Sequence, residues 1–236
     1  MLDINSQVKE ILDCRPDAIS DEVLSSNQPL VLRGLASSWP MVTAAEHSGA
    51  RAAEYLSNFD SGKPLTAMVG NAEMAGRIFY NSDLSGFNFE YQRLRLAEVL
   101  EQLSSNAGNS APSTLYVGST NVDHWLPGFR QHNDLNLGER NPVVSVWVGN
   151  RSRIAAHYDF PTNIACSVAG RRRFTLFPPD QLDNLYVGPL DVTPAGQPIS
   201  LVDFSAPDYQ RFPKFRQALQ AAQVVELEPG DAILIP

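Results

Sequence analysis

The stretch that decides the fold reads SRIAAHYD over Ser152–Asp159, an apolar extended segment that ends in a histidine and an aspartate two positions apart. In a strand, residues two apart point to the same face, so His157 and Asp159 can direct an imidazole nitrogen and a carboxylate oxygen at one metal ion. They are two of the three ligands of the 2-His-1-carboxylate arrangement of non-haem Fe(II) sites. On this tripeptide alone, a core or capped histidine at a strand end is the simpler interpretation, because such short motifs often occur by chance.

The composition indicates a folded, acidic protein. The 236 residues suit one large domain or two small ones, and 43% of them are hydrophobic, which is enough for a buried core. A net charge of −8 argues against a nucleic-acid surface or an anionic membrane surface as partner. The N-terminus has no basic-then-apolar signal pattern, and Cys14 and Cys166 have no ligand-like spacing. We therefore expect reduced thiols in a cytoplasmic protein without a membrane segment.

From residue 114 onward, short strand-like runs are separated by turns. They cover residues 114–117, 143–148, 154–156, 164–168, 173–177, 224–227 and 232–235. Regularly spaced short strands favour a β-sandwich or barrel over alternating β and α units. A helix start at 178–182 and a helix over 207–222 form an insert between the last strands.

The first half of the chain alternates helical and strand-like patterns. We expect short helices over 5–26, helices over 50–58 and 93–104, and strands over 29–34, 64–69 and 77–80. The sequence thus predicts a helical N-terminal layer (1–110) packed as one unit on a jelly-roll core (111–236).

Several motifs after His157 have a recognisable pattern. They are HYD (157–159), Asn163, AGRRRF (169–174), LFPPDQ (176–181), VDF (202–204) and EPGDA (228–232). On these residues the chain resembles the cupin-like JmjC oxygenases, in particular their asparaginyl hydroxylases, and the resemblance spans nearly the whole chain. It implies a mainly β fold, a double-stranded β-helix with added helices. It also implies Fe(II), 2-oxoglutarate and dioxygen as the means of hydroxylating or demethylating a substrate.

The resemblance implies roles for five residues. His157 and Asp159 match two iron ligands, and Tyr116, Asn163 and Arg172 match residues that hold or neighbour 2-oxoglutarate. Arg172 stands where the related hydroxylase has a lysine, and an arginine can bind the same carboxylate through two hydrogen bonds.

Each of the three co-substrate residues also has an ordinary interpretation. Strand parity puts Arg172, Phe174 and Leu176 on one face, which favours a site role for Arg172, whereas Arg171 and Arg173 fit a solvated basic cluster. Tyr116 can be a core tyrosine, and Asn163 a turn residue. Ile154 departs from the pattern, because the hydroxylase has a co-substrate-binding threonine there.

The resemblance implies that the third ligand, a distal histidine, follows shortly after Pro236. We therefore expect the sequence to be a fragment whose closing strands, and any homodimer-forming helices, lie beyond that residue. His47, His124 and His132 fit surface positions better than ligand positions.

The leading prediction is a dioxygenase, a hydroxylase acting on a protein side chain or a small molecule. The alternative is a non-catalytic cupin-like binding or scaffold protein, and a weaker one is a metal-dependent cupin isomerase or sugar-modifying enzyme.

Overall fold

The computed structural model describes residue 2 and residues 4–236, and this part of the chain forms thirteen strands, six α-helices and four 3-10 helices. The strands are β1 (Ser6–Gln7), β2 (Lys9–Ile11), β3 (Leu30–Leu32), β4 (Leu65–Gly70), β5 (Arg77–Ile78), β6 (Glu90–Leu94), β7 (Thr114–Asn121), β8 (Ser145–Gly149), β9 (Arg153–Ile154), β10 (Asn163–Cys166), β11 (Arg172–Leu176), β12 (Gln223–Leu227) and β13 (Ala232–Ile235). The α-helices are α1 (Asp21–Leu24), α2 (Pro40–His47), α3 (Gly49–Ser57), α4 (Leu96–Ser105), α5 (Val122–Trp125) and α6 (Phe215–Ala221).

One antiparallel sheet, in the order β6-β4-β7-β8, packs against the N-terminal helices. Ala67 of β4 and Val117 of β7 are register partners on the helix-facing side, and both are buried. Leu56 of α3 and Val99 of α4 belong to the same apolar cluster. The helix predicted over 93–104 is therefore confirmed as the amphipathic α4, whose apolar side faces the core, but it begins only at Leu96, and residues 93 and 94 belong to β6.

The opposite face of this sheet is the one that concerns the site. Met68, Tyr116 and Gly149 are register partners across β4, β7 and β8. Met68 and Tyr116 pack with Ile154 of β9 in a small apolar cluster. This face of the sheet therefore packs against β9, the strand that precedes His157.

Two further sheets, β1-β12-β11 and β10-β13-β3-β2, share a second apolar cluster. Phe174 and Leu176 of β11 contribute to it from one sheet, and Ala165 of β10 and Ile233 of β13 from the other. Because residues two apart on a strand share a face, Arg172 lies on the Phe174 side of β11 and Asn163 on the Ala165 side of β10. The strand parity expected for residues 172–176 is confirmed by this packing.

The expectation of short helices over 5–26 is wrong for most of that segment. β1 pairs in parallel with β12 and β2 with β3, so residues 6–11 are extended and only α1 is helical. Val8, between the two strands, is 2% exposed, whereas Leu12 is 67% exposed. Pairing with two sheets outweighs the weak local preference behind the apolar spacing.

The helix of the insert is shorter than the predicted 207–222. The carboxylate of Asp208 accepts hydrogen bonds from the backbone amides of Gln210 and Arg211, at 2.9 and 3.0 Å, and so forms a turn. Pro213 follows, and the residue before a proline is disfavoured in a helix, so α6 begins only at Phe215. The expected helix start at 178–182 is confirmed as a 3-10 helix, Pro179–Asn184. None of the helices in the described residues is long and apolar enough to cross a membrane.

β5 and β9 form a two-stranded parallel sheet, in which Arg77 is opposite Arg153 and Ile78 is opposite Ile154. Both strands are shorter than the predicted 77–80 and 154–156. Across residues 4–236, strand hydrogen bonds define four separate sheets and not one closed barrel. The observed fold is thus a mixed structure with many short strands.

Candidate metal centre

His157 lies three residues beyond the end of β9, on an exposed segment with no ladder of its own. Its ring nitrogen Nδ1 is 2.8 Å from the carbonyl oxygen of Ala155. A carbonyl can only accept a hydrogen bond, so Nδ1 carries a proton, and in the neutral imidazole Nε2 is then the nitrogen with the free lone pair. Metal-binding histidines are commonly held in this way, with one nitrogen on a carbonyl and the other free for the metal.

Asp159 is held by Asn163, the first residue of β10. The side-chain amide Nδ2 of Asn163 donates to Oδ2 of Asp159 over 3.2 Å. Asp159 Oδ1 makes no hydrogen bond within the part of the chain that the structure describes. One carboxylate oxygen is therefore oriented by an amide donor, and the other is available to a metal ion.

His157 and Asp159 supply the nitrogen and oxygen donors that suit non-haem Fe(II). In residues 4–236, no group of three or more His, Cys, Asp or Glu side chains is arranged to hold a metal ion. The described structure therefore provides a pair of oriented donors and not a complete ligand set.

Tyr116 and Arg172 come together although they lie on different sheets. Burial raises the pKa of the Tyr116 hydroxyl above its ordinary value, and the guanidinium of Arg172 beside it partly offsets that rise. The Arg172 guanidinium also lies 5.1 Å from the centre of the Phe174 ring. The pair thus presents a protonated phenol and a permanent cation side by side, which are two donors suited to a carboxylate.

The position of the Tyr116 ring depends on a glycine on the neighbouring strand. A Cβ atom at Gly149 would lie 2.7 Å from the carbonyl oxygen of Leu115 and 3.0 Å from Cδ2 of Tyr116. Both distances are shorter than van der Waals contact. Gly149 therefore leaves the space that the phenol ring occupies.

Arg171, Arg172 and Arg173 are all exposed residues, and they differ in the groups that lie beside them. Arg173 pairs with Glu226 across β11 and β12 at 3.5 Å, and Arg171 is exposed. Both positions agree with the expected surface cluster. Ile154 packs in the same apolar cluster as Tyr116.

The other three histidines make contacts away from His157 and Asp159. His47 Nδ1 bonds the carbonyl of Thr43 at 2.7 Å, and His124 Nδ1 is 3.2 Å from Nζ of Lys63. His124 belongs to α5, a single helical turn. His132 is exposed.

Comparison with known proteins places this chain in a family. The cupin-like domain family matches residues 16–236, which is most of the chain. The chain belongs to the cupin-like domain family. Its relatives include proteins named for the JmjC domain, so the expected JmjC resemblance is confirmed.

Three relatives show how far the similarity extends. Human HSPB1-associated protein 1 is 25% identical over 241 residues, covering 94% of this chain and 46% of the relative. The lysine-specific demethylase JMJ31 of Arabidopsis thaliana is 30% identical over 94 residues, covering 39% and 17%. The tRNA wybutosine-synthesizing protein 5 of Danio rerio is 32% identical over 96 residues, covering 41% and 24%. The chain spans less than half the length of each.

Two features of this cupin-like domain were missed from the sequence. Gly149 ends a strand-like run, as many turn glycines do, and only the β7–β8 register shows that it faces the Tyr116 ring. Asp203 is part of the VDF motif, yet nothing in the sequence indicates that it pairs with Arg153. Both depend on contacts between segments far apart in the chain.

Proposed function

We propose that this cupin-like domain is the catalytic part of an Fe(II)- and 2-oxoglutarate-dependent dioxygenase, a hydroxylase that acts on a protein side chain or a small molecule. His157 and Asp159 would hold Fe(II), together with a histidine from beyond Pro236. Tyr116 and Arg172 would bind the distal carboxylate of 2-oxoglutarate, and Asn163 would orient Asp159.

The observation that supports this proposal best is the juxtaposition of Tyr116 with Arg172. An arginine could instead be solvated, or paired with an acid as Arg173 is with Glu226. Arg172, itself exposed, lies beside a partly buried phenol, on the strand face that leads into an apolar cluster. A cation and a hydroxyl on an apolar wall are what a dicarboxylate co-substrate needs, and a cupin without that co-substrate does not need them.

The chain's own groups have defined tasks in this reaction. Bound Fe(II) with 2-oxoglutarate and dioxygen supplies the oxidising chemistry. The Nδ1–H bond of His157 to Ala155 holds Nε2 in its ligand form, and the Asn163 amide holds the Asp159 carboxylate. Because burial raises the pKa of Tyr116 above its ordinary value, the phenol stays protonated at neutral pH and would donate its hydrogen bond to the carboxylate.

We further propose that residues 1–236 form a single JmjC domain with a double-stranded β-helix core in a cytoplasmic protein. The two sheets that share the Phe174 cluster and the sheet that presents Tyr116 to Arg172 support a common interior. A homodimer formed through residues beyond Pro236 belongs to the same proposal. The human relative's name refers to association with a protein, which supports a protein substrate or partner.

The decisive experiment measures 2-oxoglutarate binding and turnover in the intact natural protein. Succinate formation is followed with and without Fe(II), and 2-oxoglutarate affinity is measured by calorimetry with Mn(II) in place of Fe(II). We expect turnover that requires Fe(II) and is abolished in His157→Ala and Asp159→Ala. Arg172→Gln should weaken 2-oxoglutarate binding at least ten-fold, because a charge-assisted double hydrogen bond is lost.

Arg173→Gln is the control, since it removes an arginine from the same strand that is paired with Glu226. It should leave the affinity for 2-oxoglutarate unchanged. Absence of both Fe(II) and 2-oxoglutarate binding would contradict the proposal and favour a scaffold protein. Metal binding without any effect of 2-oxoglutarate would instead indicate another metal-dependent cupin reaction.

A further inference from the structure

The segment that bears His157 has little backbone support of its own. The β5–β9 ladder is two residues long on each strand, and no further ladder is formed before β10. The additional support comes from residues 199–205 of the insert. The amide of Ser200 donates to the carbonyl of Ala156 over 2.8 Å, directly before His157.

Asp203 supplies the side-chain ion pairs among these contacts. Its Oδ1 accepts from Nη1 of Arg153 at 2.9 Å, and its Oδ2 lies 3.6 Å from Nη1 of Arg77. Arg153 and Arg77 are opposite each other on β9 and β5. One carboxylate therefore links two adjacent strands at a single register position.

The carboxylate and both guanidinium groups are fixed by other contacts. The amide of Ser205 donates to Asp203 Oδ1 over 2.8 Å, which closes a turn around the side chain. The Arg77 guanidinium lies 3.6 Å from the centre of the Phe79 ring and donates to the carbonyl of Leu201 at 3.4 Å. Arg153 also donates to the Ser205 hydroxyl. Such a constrained geometry favours a specific ion pair over a loose surface one.

Of the three charged residues Arg77, Arg153 and Asp203, the carboxylate of Asp203 is the one that balances the other two charges. The side chains of Arg77, Arg153 and Asp203 are 24%, 35% and 27% exposed, so all three are largely withdrawn from water. Without the carboxylate, two half-buried cations would face each other across a two-residue ladder. Their repulsion would act on Arg153, which precedes His157 by four residues, or about 13 Å of extended chain.

We propose that Asp203 is a positioning residue for the metal site, acting through Arg153 and the β9 strand to hold His157 and Asp159 in place. This inference rests on the proposed function. Asp203 touches neither metal nor co-substrate in this assignment. It transmits the support of the insert to the two ligands.

The test compares Asp203→Asn with Asp134→Asn in the intact natural protein. Asp134 is a close match, because it accepts from Arg130 at 2.8 and 2.9 Å and from the amide of Leu135 at 2.9 Å, with a side chain 32% exposed. We expect Asp203→Asn to weaken Mn(II) binding about ten-fold, as outer-sphere substitutions do. Asp134→Asn should leave Mn(II) affinity unchanged, and Asp203→Glu, which keeps the charge, should recover part of the loss.

A second readout works without metal. Hydrogen exchange of the backbone amides of residues 153–159 should accelerate in metal-free Asp203→Asn and not in Asp134→Asn. Equal Mn(II) affinities in the two variants, with equal loss of thermal stability, would reduce Asp203 to a general structural residue and overturn the inference. If the natural protein binds no metal, the proposed function fails. In that case unchanged hydrogen exchange over residues 153–159 in Asp203→Asn would overturn the inference as well. Accelerated exchange there would support the role of Asp203 in fixing this segment.

Discussion

Asn163 donates a hydrogen bond from its amide Nδ2 to Oδ2 of Asp159 over 3.2 Å. Asn163 begins β10, where it is paired with Ile235 at the end of β13. The carboxylate of an exposed loop is thereby tied to a strand that is paired along its whole length. Asn163 therefore acts on Asp159 from a rigid element, which is the usual way in which an outer residue fixes a metal ligand.

Asn163→Ala should weaken Mn(II) binding by about ten-fold, because Asp159 loses its orienting donor. The measurement is a Mn(II) titration followed by electron paramagnetic resonance of the free ion. Asn184→Ala is the control, since it removes a comparable amide bond, 2.9 Å to Gln181, outside the candidate site. Equal Mn(II) affinity in the natural protein and in Asn163→Ala would show that Asn163 does not support the ligand.

Gly149→Ala should lower both the stability and the affinity for 2-oxoglutarate. The added Cβ meets the Leu115 carbonyl oxygen at 2.7 Å, and backbone cannot easily yield, so we expect a loss of about 1–3 kcal/mol in the free energy of unfolding. The Tyr116 ring, at 3.0 Å, would have to turn away from its place beside Arg172.

The control for Gly149→Ala is Gly49→Ala at the start of α3, where an added Cβ meets no atom within 4 Å. That change should be neutral or stabilising by up to about 1 kcal/mol. Urea unfolding and calorimetry with 2-oxoglutarate measure both variants. A Gly149→Ala protein with natural co-substrate affinity would show that the ring position is not critical.

Elements that are determined by neighbouring residues in the sequence were predicted better than elements that are determined by contacts between distant segments. The run 232–235 is observed as β13, because four apolar residues lie between a Pro-Gly turn and a proline, and each of them packs in a core. β6 was not expected, since Glu90–Leu94 has no fully buried residue and joins the sheet through its pairing with β4. A local sequence pattern predicts a strand whose residues are buried. It gives no signal for an exposed strand that is held in place by pairing with its neighbour.

The candidate site shows the same division. Parity along residues 172–176 correctly placed Arg172 on the face of Phe174 and Leu176. The approach of Tyr116 to Arg172, the clearance at Gly149 and the link from Asp203 to Arg153 all join distant segments. Such contacts arise from tertiary packing and leave no periodic signal in the sequence.

Asp203 should contribute to the acid sensitivity of the fold. Burial alone raises the pKa of this carboxyl, but the Ser205 amide and the charges of Arg77 and Arg153 outweigh burial and hold the pKa below its ordinary value of 3.8. The folded state therefore releases this proton more readily than the unfolded state does. The resulting stability is present above about pH 4 and is lost as the pH falls through the folded-state pKa.

Urea unfolding at pH 7, 4 and 3 measures this effect. At pH 7 Asp203→Asn should be less stable by roughly 2 kcal/mol, as for hydrogen bonds to charged groups. The difference from the natural protein should narrow as the pH falls below 4. A difference that is constant from pH 7 to pH 3 would mean that the ionised carboxylate is not what stabilises the β5–β9 pair.

Cys166 should react only slowly with alkylating reagents while the fold is intact. Burial raises the pKa of its thiol to about 12, so at pH 8 only on the order of one molecule in ten thousand carries the reactive thiolate. Iodoacetamide labelling followed by mass spectrometry should modify Cys166 only slowly in the native protein and fully in urea. Cys14, which also has a raised pKa but is less enclosed, should react first and serves as the internal control.

The same thiol can report on the candidate site. Cys166 is on β10, the strand that starts with Asn163 and pairs with β13, so separation of these strands would expose its partly buried thiol and speed its labelling. Ligands that bind only the folded state reduce such openings in proportion to their occupancy. Mn(II) with 2-oxoglutarate should therefore slow the labelling of Cys166 in the natural protein more than in Asn163→Ala. Equal slowing of Cys166 labelling in the natural protein and in Asn163→Ala would show that ligand binding does not act on β10 through Asn163.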